Sequence, residues 1–165
     1  MDRGAPGALS LGGNQGDVRG AFRYAFDRLA ATSGVELIAK SSLWRTPPWG
    51  KTDQADFLNM AALVRTTLTP RALLALCLQI EAERDRQRDI RWGPRTLDID
   101  IIAFDDLAIE EPDLIIPHPH AHERAFVLAP LAEIAPDLEL SGRRIADWLA
   151  IVGSAGERSI GPLDP

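Results

Sequence analysis

Asp98 and Asp100 stand two residues apart in RTLDIDIIAF, residues 95 to 104, a run that reads as a β-strand. Successive side chains on a strand point to opposite faces, so Leu97, Ile99 and Ile101 share one face and Asp98, Asp100 and Ile102 the other. The two aspartate Cα atoms would then lie about 6.5–7 Å apart. Two unit charges at that distance repel by about 2–3 kcal/mol at an effective dielectric of about 20, and by less than about 1 kcal/mol in open water. The pair is therefore either solvated, or half-buried and neutralised by a cation.

The residues just before it bear on that choice. From Arg84 to Arg95 there are five arginines against Asp85 and Asp89, a local excess of three positive charges in a chain whose net charge is −6. Guanidinium forks suit phosphate oxygens, and paired carboxylates suit Mg²⁺, which usually binds together with substrate phosphates. Together they describe a site for a metal–polyphosphate. Taken alone, the arginine run would read as a solvated helix end. Trp92-Gly93-Pro94 within it argues for more, because a large aromatic on a turn is costly to expose without a partner.

The elements that must position these groups follow from the rest of the chain. With 165 residues, 45% of them hydrophobic and 25% charged, the chain has the size of one domain, 1–165, with a buried core. Its acidic balance argues against broad nucleic-acid binding, which needs a basic surface. Cys77, the lone cysteine, excludes an internal disulfide framework and reads as a small buried hydrophobe of a reducing compartment. MDRGAPGALSLGG carries no long apolar stretch, so neither a signal peptide nor a membrane span is expected, and the cytoplasm is the default location.

ALSLGG, 8 to 13, reads as a strand running into the turn GGNQGD. A helix over 17 to 33 is predicted from Val18, Ala21, Phe22, Ala25, Phe26 and Leu29, with Asp17 as N-cap and Gly34 as stop. Strands are expected at about 35 to 45 and from Phe57 to about Thr67. Thr69-Pro70 opens a second helix with a stripe of Leu73, Leu76, Cys77 and Ile80. The acidic strand comes next, then a turn at Asp105-Asp106, a short helix in ERAFVLAPLAEI, a last helical stretch in SGRRIADWLAIVG and a polar tail. Strand, helix, strand, strand, helix, strand is the split β-α-β order of an α+β ferredoxin-like sandwich. The elements after residue 104, a hairpin and helices, extend that βαββαβ core.

RWGPRTLDIDI (91 to 101), SSLWRTPPWG (41 to 50), DFLNMA (56 to 61) and PH…RAF (117 to 126) together resemble the 6-hydroxymethyl-7,8-dihydropterin pyrophosphokinases of folate biosynthesis. The resemblance runs over nearly the whole chain in the right order. It implies a ferredoxin-like fold and transfer of pyrophosphate from ATP to the pterin's hydroxymethyl oxygen, with release of AMP. It also implies two Mg²⁺ ions held by Asp98 and Asp100 and bridging the ATP phosphates. Arg86, Arg88 and Arg95 match arginines of a mobile catalytic loop, and Trp92 a residue that closes over both substrates. Phe57 and Phe126 match aromatics that sandwich the pterin, Asn59 and Thr46-Pro47 match groups that hydrogen-bond its edge, and Trp49 lies in the lid above it. His118 and Arg124 match contacts to the nucleotide phosphates; Ile101 and Glu81 align with the nucleotide side. Loops 46 to 55 and 84 to 95 read as closing lids. The partners implied are these two small molecules, with no nucleic acid and no membrane, on a monomer. Three departures are visible: Gly12-Gly13-Asn14 replaces the usual Gly-Ser-Asn, Asp85 replaces a glycine before Arg86, and Pro119 stands where an aromatic often follows the histidine.

Blander readings compete at several positions. Phe57 and Phe126 could be core, and GGNQGD a simple strand-to-helix turn. His118, His120 and His122 alternate as a strand metal site would, although prolines break the run. A ligand-sensing module on the same fold would need neither the aspartate pair nor the arginines. An RNA-binding domain would need exposed strand aromatics and a basic face.

Overall fold

The computed structural model describes residues 4–47, 56–85, 97–154 and 156–164. In chain order these form β1 (Ala5–Gly13), α1 (Val18–Ala31), β2 (Val35–Lys40), β3 (Trp44–Thr46), β4 (Phe57–Thr66), α2 (Pro70–Asp85) and β5 (Asp98–Phe104). After them come β6 (Ile109–Glu111), β7 (Leu114–Ile116), a 3₁₀ turn (Ala121–Glu123), α3 (Ala125–Ile134), β8 (Glu139–Leu140), β9 (Arg143–Arg144), α4 (Ile145–Val152) and β10 (Arg158–Ser159). In the main sheet β4 pairs with β1 along one edge and with β2 and β3 in succession along the other. β5 lies outside β1, and β10 outside β3, every ladder antiparallel. This is the expected ferredoxin-like order, with the added hairpin β6–β7 and helices α3 and α4.

Local signals account for most of the elements. Every residue of the expected α1 stripe is buried, Asp17 Oδ1 accepts the Gly20 N–H at 3.0 Å, and Gly34 takes a positive φ of 86° after the helix. At the head of α2 the Thr69 hydroxyl accepts the Ala72 N–H. The α2 stripe is buried, and Cys77 within it has its thiol pushed up to about 12, chiefly by burial, which makes it an inert core group.

Three expectations change. The strand over 35 to 45 is two strands, because Ser41 breaks it. Its N–H donates to Ala61 O, while its hydroxyl, rather than its carbonyl, accepts the Ala61 N–H. Residues 141 to 144 are not helical: Ser141 and Gly142 turn between β8 and β9, both at positive φ, and α4 starts only at Ile145. The polar tail contains β10, and Leu163 is buried.

The sheet is apolar on both faces. Leu9, Leu11, Met60, Val64, Leu97, Ile99, Ile101 and Phe104 pack against α1 and α2 in one core. On the opposite face Ala8, Ala61, Ile102 and Ala103 meet Val127, Leu128 and Leu131 of α3 and Ile145 of α4. Ile102 and Ala103 are neighbours yet share a face, because the β1–β5 register slips by one residue there: Leu9 faces Ile101 and Ala8 faces Ala103. No helix among the described residues is long and apolar enough to cross a membrane.

Glu83 ties the two helices together. It accepts hydrogen bonds from Arg28 Nε at 2.8 Å, the Tyr24 hydroxyl at 2.6 Å and Gln79 Nε2 at 3.1 Å. Arg28, then Tyr24, hold its carboxyl down to about 2 from an ordinary value of 4.5. Because the folded value is the lower one, this tie adds stability above about pH 4.5 and loses it as pH falls towards 2. The urea midpoints of wild type and Glu83→Gln should therefore differ at pH 6 and converge near pH 2. A constant gap across that range would show that ionisation of Glu83 contributes nothing.

Candidate functional site

On the face away from α1 and α2, strand alternation places Ser10 and Gly12 of β1, Phe57 and Asn59 of β4, and Asp98 and Asp100 of β5. α3 and α4 cover this face over Ala8, Ala61 and Ile102, and the rest stays open as a cleft of about 660 Å³. Thr46 and Pro47 at the end of β3 close one side; Arg124, Ala125 and Phe126 at the start of α3 close another. Gly12 lies between Asn59 on one neighbouring strand and Asp98 on the other, and Ser10 between Ala61 and Asp100. A Cβ on Gly12 would stand 3.0 Å from Asn59 Oδ1, so only glycine leaves that amide undisturbed.

The two carboxylates point into the cleft and are exposed. Across from them Asn59 is 96% buried, and its Nδ2 donates to Thr46 Oγ1 at 3.2 Å. A buried amide held this way fixes Thr46, the last residue of β3, against the floor of the cleft. Phe57 is 36% exposed and Phe126 half-buried, and both line the cleft, so neither is a simple core residue. The Arg124 guanidinium lies 5.9 Å from the Phe126 ring centroid, which places a cation and an aromatic face together at the rim.

His118 sits beside the aspartates rather than in the cleft wall. Its N–H donates to Ile102 O, and its Nδ1 accepts the His120 N–H at 3.2 Å. Burial lowers its pKa, and the nearby Asp100 charge opposes that shift. His122 packs against Trp148 with ring centroids 4.8 Å apart, and no group of three metal-ligating side chains occurs among the described residues, so the three histidines form no zinc site there. Asp98 and Asp100 are thus two carboxylates on one open face, a donor set that suits a hard cation completing its shell with water and substrate oxygens.

Other expected residues fall elsewhere. Glu81 is buried on the α1–α2 side of the sheet, where Oε2 accepts the Ile99 N–H at 2.7 Å. Ile101 is buried in that same core. The structure brings neither to the cleft. Trp49, Arg86, Arg88, Trp92 and Arg95 lie outside the described residues. The cleft also includes Asn14 of the Gly12-Gly13-Asn14 turn, together with Ser10, Glu123 and the segment Val152–Ser154, which were not singled out from the sequence. Ser10 carried a signal, being a polar residue in phase with Gly12 on an otherwise apolar strand; Val152–Ser154 carried none, since tertiary folding alone delivers the end of α4.

A family profile described as 7,8-dihydro-6-hydroxymethylpterin-pyrophosphokinase (HPPK) matches residues 8–136, a span that contains both aspartates, both cleft phenylalanines and Asn59. The chain belongs to the HPPK family. It is 48% identical over 148 residues to the 2-amino-4-hydroxy-6-hydroxymethyldihydropteridine pyrophosphokinase of Methylorubrum extorquens, covering 90% of this chain and 94% of that one. It is also 48% identical over 131 residues to the enzyme of the same name from Bacillus subtilis, covering 79% and 78%. Among solved structures, an HPPK-DHPS in complex with substrates superposes with a TM-score of 0.71 at 14% identity, over 91% of this chain and 43% of that one. The wild-type Plasmodium falciparum HPPK-DHPS gives 0.70 at 14%, over 94% and 44%. The chain therefore spans less than half the length of these solved proteins, and the likeness to them is one of fold.

Proposed function

We propose that the cleft transfers the pyrophosphoryl group of ATP to the hydroxymethyl oxygen of 6-hydroxymethyl-7,8-dihydropterin, yielding the pterin diphosphate and AMP for folate synthesis. The observation that carries this reading is the meeting in one cleft of the Asp98/Asp100 pair, two partly exposed phenylalanines and the buried Asn59–Thr46 hydrogen bond. Membership of the HPPK family supports it independently.

Each part has a chemical task. Phe57 and Phe126 offer flat faces to the two sides of a pterin, and Asn59 and Thr46 offer donors and acceptors to its edge. Asp98 and Asp100 would hold two Mg²⁺ ions, which when bound neutralise the phosphate oxygens and stabilise both the attacking and the leaving oxygen. Transfer of this kind needs in-line approach and charge neutralisation more than covalent help. Arg124 at the rim and, from the sequence, Arg86, Arg88 and Arg95 supply positive charge for the phosphates. Trp92 and Trp49 are read as lid residues that exclude water from ATP.

The test is AMP formation from ATP and the hydroxymethyl dihydropterin in the presence of Mg²⁺. One AMP should appear per pterin diphosphate, with no ADP. A folded protein that binds the pterin and forms no AMP would overturn the enzymatic reading in favour of a ligand-sensing module.

A further inference from the structure

Glu133 lies near the end of α3, well away from the aspartates, yet its carboxylate is one of the most heavily engaged in the molecule. Oε2 accepts the Ser42 N–H at 2.8 Å, while Oε1 accepts the Ser42 hydroxyl at 2.6 Å and the Trp44 indole N–H at 2.9 Å. The Ser42 hydroxyl also lies 2.8 Å from that of Ser159 in β10, the strand that pairs with β3 from outside. Burial pushes the Glu133 carboxyl up, but the Ser42 hydroxyl, the Ser42 N–H and the Trp44 indole more than offset it and hold it below the ordinary glutamate value.

Two alignments connect this clamp to the cleft. On α3, Glu133 is seven residues from Phe126, two helical turns on and on nearly the same side, so one helix, with Pro130 inside it, joins them over about 10 Å. On β3, the clamp grips Trp44, whose register partner is Asn59 itself, and the strand then runs two residues to Thr46, the acceptor of the Asn59 amide. The break at Ser41–Leu43 separates β3 from β2, and β3, three residues long, is laddered to β4 and β10 within the sheet, so the Glu133 carboxylate supplies its side-chain tie to α3. Glu133 therefore couples the element carrying one aromatic wall to the strand carrying the opposing polar edge.

We infer that Glu133 is a positioning residue for the pterin half of the cleft: it sets the spacing between Phe126 on α3 and Thr46 on β3. This rests on the reading of that half as the pterin site. Glu133→Ala should weaken binding of 6-hydroxymethyl-7,8-dihydropterin about tenfold, measured by titration calorimetry, and leave the affinity for a non-hydrolysable ATP analogue with Mg²⁺ unchanged. Glu133→Gln keeps one acceptor oxygen but turns an amide NH₂ towards a second donor, so it should fall between wild type and Glu133→Ala. Ser42→Ala, which removes one arm and keeps the chain's shape, should show a smaller selective loss in the same direction.

The outcomes separate cleanly. Selective loss of pterin affinity, graded across the three variants, supports the inference. Equal loss of both affinities, or a lower melting temperature with pterin affinity unchanged, makes Glu133 a stabilising residue only and overturns it. Wild-type protein that binds the ATP analogue but no pterin takes down the pterin-site reading, and this inference with it. Should Glu133→Ala fail to fold, Glu133→Gln and Ser42→Ala decide alone.

Discussion

Replacing Asp98 or Asp100 by alanine is expected to cut AMP formation by at least about a thousandfold. Charge stabilisation by bound metal in transfers of this type contributes several kcal/mol, and each 1.36 kcal/mol corresponds to about one decade of rate. The fold should survive. Both side chains are exposed on the cleft face, while the core contacts of β5 come from Leu97, Ile99 and Ile101 on the opposite face. Removing one carboxylate also relieves the repulsion between the pair, so the melting temperature should hold or rise slightly. Asp100→Asn refines the test by keeping shape and losing charge. Binding of Mn²⁺ followed by electron paramagnetic resonance gives a readout independent of turnover and should weaken in each variant. Near-normal turnover in either alanine variant would reject the metal-binding assignment and return the pair to a solvated surface feature.

Phe126→Ala is expected to act on a different quantity. Stacking of a planar heterocycle on an aromatic side chain is worth about 1–3 kcal/mol, judged from nucleobases, which here means a pterin affinity weaker by about 10- to 100-fold. ATP affinity should change less. Phe126 also packs at the border of the α3–α4 core, so a modest fall in melting temperature is expected alongside. A pure core residue would give that fall without a selective loss of pterin. Phe126→Tyr, which keeps the ring, should restore most of the affinity, and an unchanged pterin affinity in Phe126→Ala would remove the stacking role.

Where sequence reading succeeded, it did so because a strong local period met a matching environment. The α1 stripe and the phase of Leu97, Ile99 and Ile101 are examples, since one-sided burial leaves no other face for those residues. The cleft was legible in its charged and aromatic members because those residue types are costly to leave without a task. The break at Ser41 leaves no trace in the sequence, because a serine continuing a strand and a serine whose hydroxyl replaces a backbone acceptor look alike in one dimension. β8, β9 and β10 span two residues each, too few for a period to announce them; β8 and β9 pair with each other across the Ser141-Gly142 turn, and β10 is placed by its distant partner β3. Glu81 is buried and its carboxylate accepts the Ile99 N–H of β5, a use that no pattern in the sequence displays.

The slipped register at Ile102 gives the site a property of counting. One surplus residue in β5 lets Phe104 return to the α1–α2 core while Asp98 and Asp100 keep facing outward. The strand's anchor and its charges are thus on opposite sides of a parity change. Deleting Ile102 would remove the surplus residue itself. With Phe104 held in the α1–α2 core and Ala103 under α3, regular alternation would then leave Ile99 and Ile101 in the core and Asp98 and Asp100 on the cleft face, where they already stand. The deletion should therefore cost the packing of one buried isoleucine and keep the charge of the cleft in place.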